Sequence, residues 1–110
     1  MQGDKVGVMI AVSNRKMIVS LVAKEAKGGF VIVYTDKDHV KAIANKLGGI
    51  PVGDTQVVVK LDKDFTEAYY VLNTIFELAD NQPFRASVYA TRRKEVVKVL
   101  DFEYWPKAEA

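Results

Sequence analysis

One segment of this chain occurs twice. Val31-Ile32-Val33-Tyr34-Thr35-Asp36-Lys37-Asp38-His39 recurs 26 residues later as Val57-Val58-Val59-Lys60-Leu61-Asp62-Lys63-Asp64-Phe65. Each copy passes from an apolar run through Asp-Lys-Asp into a helical pattern, which reads as strand, tight turn, helix. A strand–turn–helix unit used twice restricts the chain to architectures that mix strands and helices along the sequence.

The flanking segments extend the alternation. Val6-Gly7-Val8-Met9-Ile10-Ala11-Val12 is apolar on both faces and reads as a strand covered on two sides. From Arg15 to Lys27, Met17, Ile18, Leu21, Val22 and Ala26 share one side at helical spacing, and Gly28-Gly29 supplies a stop. That predicts a helix, with a second hairpin strand over Met17 to Ala23 as the competing reading. A strand over Phe30 to Thr35 leads to a helix carrying Val40, Ile43, Ala44 and Leu47, which stops at Gly48-Gly49. Ile50 to Asp54 reads as a loop and Thr55 to Leu61 as the third strand. Phe65 to Ala79 is the longest helix, with Phe65, Ala68, Tyr69, Leu72, Ile75, Phe76 and Ala79 as its stripe, ended by Asn81-Gln82-Pro83. Phe84 to Thr91 and Val96 to Trp105 form a hairpin across Arg92-Arg93-Lys94-Glu95, and residues 106–110 should fray. The order βαβαβα followed by a ββ hairpin predicts one α/β domain over residues 1–110. Its expected form is a three-layer open sheet, mixed, with a parallel core.

Composition removes several classes of function. Cysteine is absent, which excludes disulfides, zinc–thiolate centres and a thiol nucleophile and fits a cytoplasmic protein. The early apolar run Val6 to Val12 is too short and too polar in its flanks for a signal peptide or a membrane span, so no membrane partner is expected. The single histidine excludes a multi-histidine metal site. Neither Gly-x-Gly-x-x-Gly nor a P-loop pattern occurs, and Ser13, Ser20 and Ser87 lack a nucleophile-elbow context, so no cofactor is expected beyond the Mg²⁺ considered next.

With a parallel core, the turns after Val12, Thr35 and Leu61 would share one sheet edge, where Asn14, Asp36, Asp38, His39, Asp62 and Asp64 would converge. An aspartate between strand and helix is first of all an N-cap. The second aspartate of each pair opens a metal reading, in which Asp36, Asp38, Asp62 and Asp64 hold Mg²⁺ that clamps a phosphate. His39 would serve there as general acid or base. Thr35-Asp36-Lys37-Asp38, following an apolar strand and opening a helix, resembles the strand–Asp-x-Asp–helix element of Toprim domains over about Phe30 to Leu61. The resemblance implies metal-dependent phosphoryl transfer, hence a phosphodiesterase or nuclease. Those domains carry a glutamate just after their first strand, where this chain has Ser13-Asn14-Arg15-Lys16. A looser similarity to Alba-type chromatin proteins implies nucleic-acid contact through a basic first helix bearing Arg15 and Lys16, although the long third helix has no counterpart there.

A net charge of +2 makes any nucleic-acid case a matter of local clustering. Arg92, Arg93 and Lys94 at the hairpin tip, with Arg85 and Lys98 on its strands and Tyr89, Tyr104 and Trp105 nearby, combine phosphate-seeking cations with faces on which bases stack. Lys16, Lys24 and Lys27 would extend that patch or form the solvated side of the first helix. Val71 and Leu78 lie on the flank of the long helix, outside the stripe centred on Leu72. They predict a homo-oligomer joined through that helix, or coverage by the C-terminal strands. The expected function is binding of nucleic acid or a phosphorylated ligand through the basic hairpin, with the question of catalysis left open and, if there is any, phosphodiester hydrolysis as the reaction. The alternatives are a metal-dependent phosphodiesterase and a protein–protein adaptor.

Overall fold

The computed structural model describes residues 8–12, 14–25, 28–61, 65–80 and 82–105. The elements in chain order are β1 (Val8–Val12), α1 (Arg15–Glu25), β2 (Gly29–Tyr34), α2 (Lys37–Leu47), β3 (Ile50–Val52), β4 (Gln56–Leu61), α3 (Phe65–Ala79), β5 (Phe84–Arg92) and β6 (Glu95–Tyr104). The segment after Asn14 is helical, so the hairpin alternative falls. The frayed tail expected at 106–110 lies outside the described residues.

The expected parallel core is wrong. The six strands lie in the order β1-β6-β5-β2-β4-β3, and every neighbouring pair is antiparallel except β1 with β6 at one edge. The cause is β3, three residues inside the stretch that reads as loop; they contain Pro51, which cannot donate to a ladder, and all three are exposed at the sheet edge. The crossover through α2 lands on β3, parallel to β2, and β4 then turns back between them. β5 in turn lies parallel to β4 with β2 between. Residues 29–92 thus form two interleaved split βαβ units, the β-α-β-β-α-β order of ferredoxin-like domains, extended by β6 and β1.

Among the described residues the expected third layer is absent as well. α3 packs against both α1 and α2, while α1 rests on β6 and α2 on β4. Alternate sheet residues Val31, Val33, Val57, Val59, Leu61, Ala86, Val88 and Phe102 join the buried faces of the helices in one cluster. Phe76 of α3 meets Tyr104 edge-on and tilts against Phe84, anchoring the helix to the sheet. Having a helix on each side widens the buried arc of α3. Val71 is only 5% exposed within the cluster, and Leu78 packs against it from its margin. These two residues therefore face the protein's own core, and the dimer inferred from them loses its basis. Tyr69, expected in the stripe, is exposed instead. On α1 the buried residues are Ile18, Val19, Val22 and Ala23, and Met17 is exposed.

Two backbone features tune the sheet. Gly29 has φ 142°, and a Cβ there would overlap the Tyr89 carbonyl, so β2 approaches β5 as closely as it does only with glycine. A bulge between Val88/Leu100 and Tyr89/Lys98 leaves Val99 unpaired, and both Val99 and Leu100 are buried.

Candidate functional site

Because the helices cover one face, every second strand residue projects from the other, and the register arranges these residues in rows. One row runs Lys60, Phe30, Tyr89, Lys98. The next runs Ile50, Val58, Ile32, Ser87, Asp101, and a third Val52, Gln56, Tyr34, Arg85, Glu103. β2 therefore places Phe30, Ile32 and Tyr34 side by side in the middle of a sheet face that no described element covers.

Charge and aromatic contacts organise these rows. Phe30 and Tyr89 stack at 4.9 Å between centroids with 17° between planes. The Lys98 ammonium lies 5.8 Å from the Tyr89 centroid. It also donates to Asp101 Oδ2 at 3.2 Å, and Asp101 Oδ1 accepts from the Ser87 hydroxyl. The hydrogen bond to Asp101, reinforced by that carboxylate's charge, raises the Lys98 pKa. In the third row the Arg85 guanidinium lies 5.8 Å from the Tyr34 ring centroid, with Nε 3.7 Å from Glu103 Oε2. Glu103 Oε1 accepts from Trp105 Nε1 at 3.1 Å.

Where β2 and β6 end and β5 begins, Tyr34, Asp36, Pro83, Arg85 and Trp105 border an open cleft of about 510 Å³. Asp36 is the N-cap of α2: its Oδ1 accepts from the His39 backbone N–H at 3.0 Å and lies 2.7 Å from His39 Nδ1. The backbone hydrogen bond first, and the ring contact second, hold the Asp36 carboxyl below its ordinary range.

The sequence-derived candidates are dispersed by this arrangement. Arg85 and Lys98 lie on the helix-free face. Arg93 and Lys94 form the two-residue hairpin loop, and Arg92 pairs with Glu95 at its base, its side chain outside the described residues. Arg85 and that tip stand at opposite ends of β5, roughly 25 Å apart at about 3.3 Å per residue, so the hairpin does not form one basic patch. Lys16 and Lys24 belong to the helical layer and cannot extend the open face; Lys27 lies outside the described residues. Arg15, placed at a nucleic-acid contact by the Alba-type similarity, is engaged within the helix layer. It donates to Asn73 O at 3.1 Å and Asn73 Oδ1 at 3.2 Å and sits 5.3 Å from the Phe76 ring centroid.

The aspartate edge does not assemble as expected. Asp36 and Asp38 open α2, whereas Asp62 and Asp64 lie outside the described residues. Antiparallel pairing sets Leu61 beside Gly29 and Gln56 beside Tyr34, so β4 ends at the opposite edge of the sheet from Asp36. Convergence of all four required the parallel core. Among the described residues no group of three His, Cys, Asp or Glu side chains is placed to hold a metal ion. Phe30, Tyr34, Lys60, Ser87, Asp101 and Glu103 were missed. For Phe30 and Tyr34 the signal is a strand apolar at every position, which equally describes a strand buried on both sides; Lys60, Ser87, Asp101 and Glu103 come beside them only through the strand register.

Among the described residues no helix is long and apolar enough to cross a membrane. Comparison with protein families, with proteins of described function and with solved structures finds no match.

Proposed function

We propose that the protein binds single-stranded nucleic acid across the helix-free face of its sheet. The observation that carries this reading is the row in which a stacked aromatic pair, Phe30 and Tyr89, lies between Lys60 and Lys98. Non-sequence-specific binding of single strands combines these elements: π-faces for bases and cations that track the backbone. A half-exposed pair such as Lys98–Asp101 is still reached by solvent and worth little beside a phosphate contact, so the ammonium can leave Tyr89 for a phosphate while a base takes its place on the ring. The hairpin cations Arg93 and Lys94 would extend the track along β5 and β6. A cytoplasmic place of work belongs to the same proposal.

The test is fluorescence anisotropy with a labelled single-stranded oligonucleotide across a salt series. Phe30→Ala with Tyr89→Ala should weaken binding by roughly tenfold or more, from about 1–3 kcal/mol per stacked base. Lys98→Ala should lower the log–log salt slope by about 0.7. Absence of binding to DNA and RNA strands at low salt would remove the proposal. The adaptor reading has one observation of its own, the exposure of Ile50 and Val52 on edge strand β3.

A further inference from the structure

We infer that the cleft at the end of the sheet is a subsite for one nucleotide, selective for bases that carry an exocyclic amine. The inference rests on the single-strand reading for its ligand class and goes beyond it in assigning a pocket, a contact set and a base preference.

The cleft, at about 510 Å³, is within the range of small-ligand sites. Its walls are aromatic on two sides. Trp105 is half exposed and its ring is held by the Nε1–Glu103 bond, and Tyr34 stands under the Arg85 guanidinium. Glu103 is a positioning residue for Trp105, since its carboxylate accepts from the ring Nε1 while its second oxygen stands beside the Arg85 guanidinium as an ion pair. At 3.7 Å that carboxylate is beyond hydrogen-bond length from Nε. A guanidinium carries five donors in a geometry matched to phosphate. Asp36, two residues beyond Tyr34, the register partner of Arg85, belongs to the same lining, and like any exposed aspartate it is an ionised acceptor at neutral pH. Oδ1 serves the helix cap and His39, and a carboxylate has acceptor capacity beyond those two contacts.

A ligand that satisfies these groups together is planar, carries an anion at one end and presents a donor at the other. A nucleotide whose base bears an exocyclic amine meets all three conditions: the base lies against Trp105, the phosphate on Arg85 and the amine toward Asp36. A base with a carbonyl at that position would set two acceptors against each other.

Trp105 is the only tryptophan in the chain, so its fluorescence reports the cleft directly. Titration with AMP should quench it saturably. IMP, which exchanges the amine for a carbonyl, and adenosine, which lacks the phosphate, should each bind roughly tenfold more weakly. Arg85→Ala should remove the difference between AMP and adenosine. Asp36→Asn, which keeps the helix cap but also offers a donor, should remove the difference between AMP and IMP. Phenylalanine, a zwitterion with an aromatic ring but no base or phosphate, should not displace AMP. No saturable quenching by AMP, equal binding of AMP and IMP, or displacement by phenylalanine would each overturn the inference. Oligonucleotide binding that persists in the absence of AMP quenching would leave the sheet-face reading standing alone. AMP quenching without oligonucleotide binding would leave the cleft as a site for free nucleotides and remove the sheet-face reading.

Discussion

Asp36 shows how one side chain answers to two demands. Its place between strand and helix announces a cap, and the cap is formed. Asp36→Ala should therefore destabilise the fold by about 1 kcal/mol at neutral pH, whereas Asp36→Asn should be nearly neutral. The pH dependence follows from the direction of the shift. A carboxyl held below its ordinary range contributes stability above the unfolded-state pKa and loses it as pH falls through the folded-state value. The gap between wild type and Asp36→Ala in urea unfolding should narrow on acidification below the ordinary carboxylate range. Because the group is exposed, its charge contributes only a screened part of that gap. A gap independent of pH would mean that the cap does not depend on ionisation. Arg15 teaches a related lesson: its charge was legible, but its partners Asn73 and Phe76 lie on a helix far along the chain.

The hairpin loop is the element whose backbone and side chains pull against each other. Arg93 and Lys94 have φ of 52° and 70°, the doubly left-handed geometry of a two-residue loop that matches strand twist. Asn-Gly suits that geometry, and L-residues with long side chains do not. Arg93→Asn with Lys94→Gly should raise stability by about 1–2 kcal/mol in thermal or urea unfolding. If the two cations touch phosphates, the same variant should bind oligonucleotide more weakly and with a shallower salt dependence. A variant that is stabilised with unchanged binding would limit the interface to the open face. Local chemistry made most elements legible, including α3 over Phe65–Ala79 and the β5–β6 hairpin. What it could not convey was β3, whose pairing comes from β4 rather than from its own residues. Missing those three residues was enough to turn an antiparallel sheet into a parallel one, and with it to gather the aspartates on one edge.

Across the molecule the deciding question is whether the sheet has one covered face or two, since the proposed interface exists only on an open one. Burial of β4 alternates: Val57 and Val59 face the helices, and Val58 lies between Ile50 and Ile32 on the other side. β2 is apolar at every position from Phe30 to Tyr34, so periodicity could not separate a central strand under two layers from one that offers an apolar face to a ligand. Adjacent substitutions in β4 separate them. Threonine has nearly the shape of valine and favours strands, so a Val→Thr exchange chiefly tests whether the added hydroxyl meets water. At Val57, fully buried among apolar side chains, the hydroxyl has no route to solvent, and Val57→Thr should cost about 1–3 kcal/mol. At Val58 the hydroxyl should reach water, and Val58→Thr should change stability by less than about 0.5 kcal/mol. Urea unfolding of the two variants, with unchanged m-values, makes the comparison. Equal losses at both positions would mean that a second layer covers this face, and the proposed nucleic-acid surface would then have no access to its ligand.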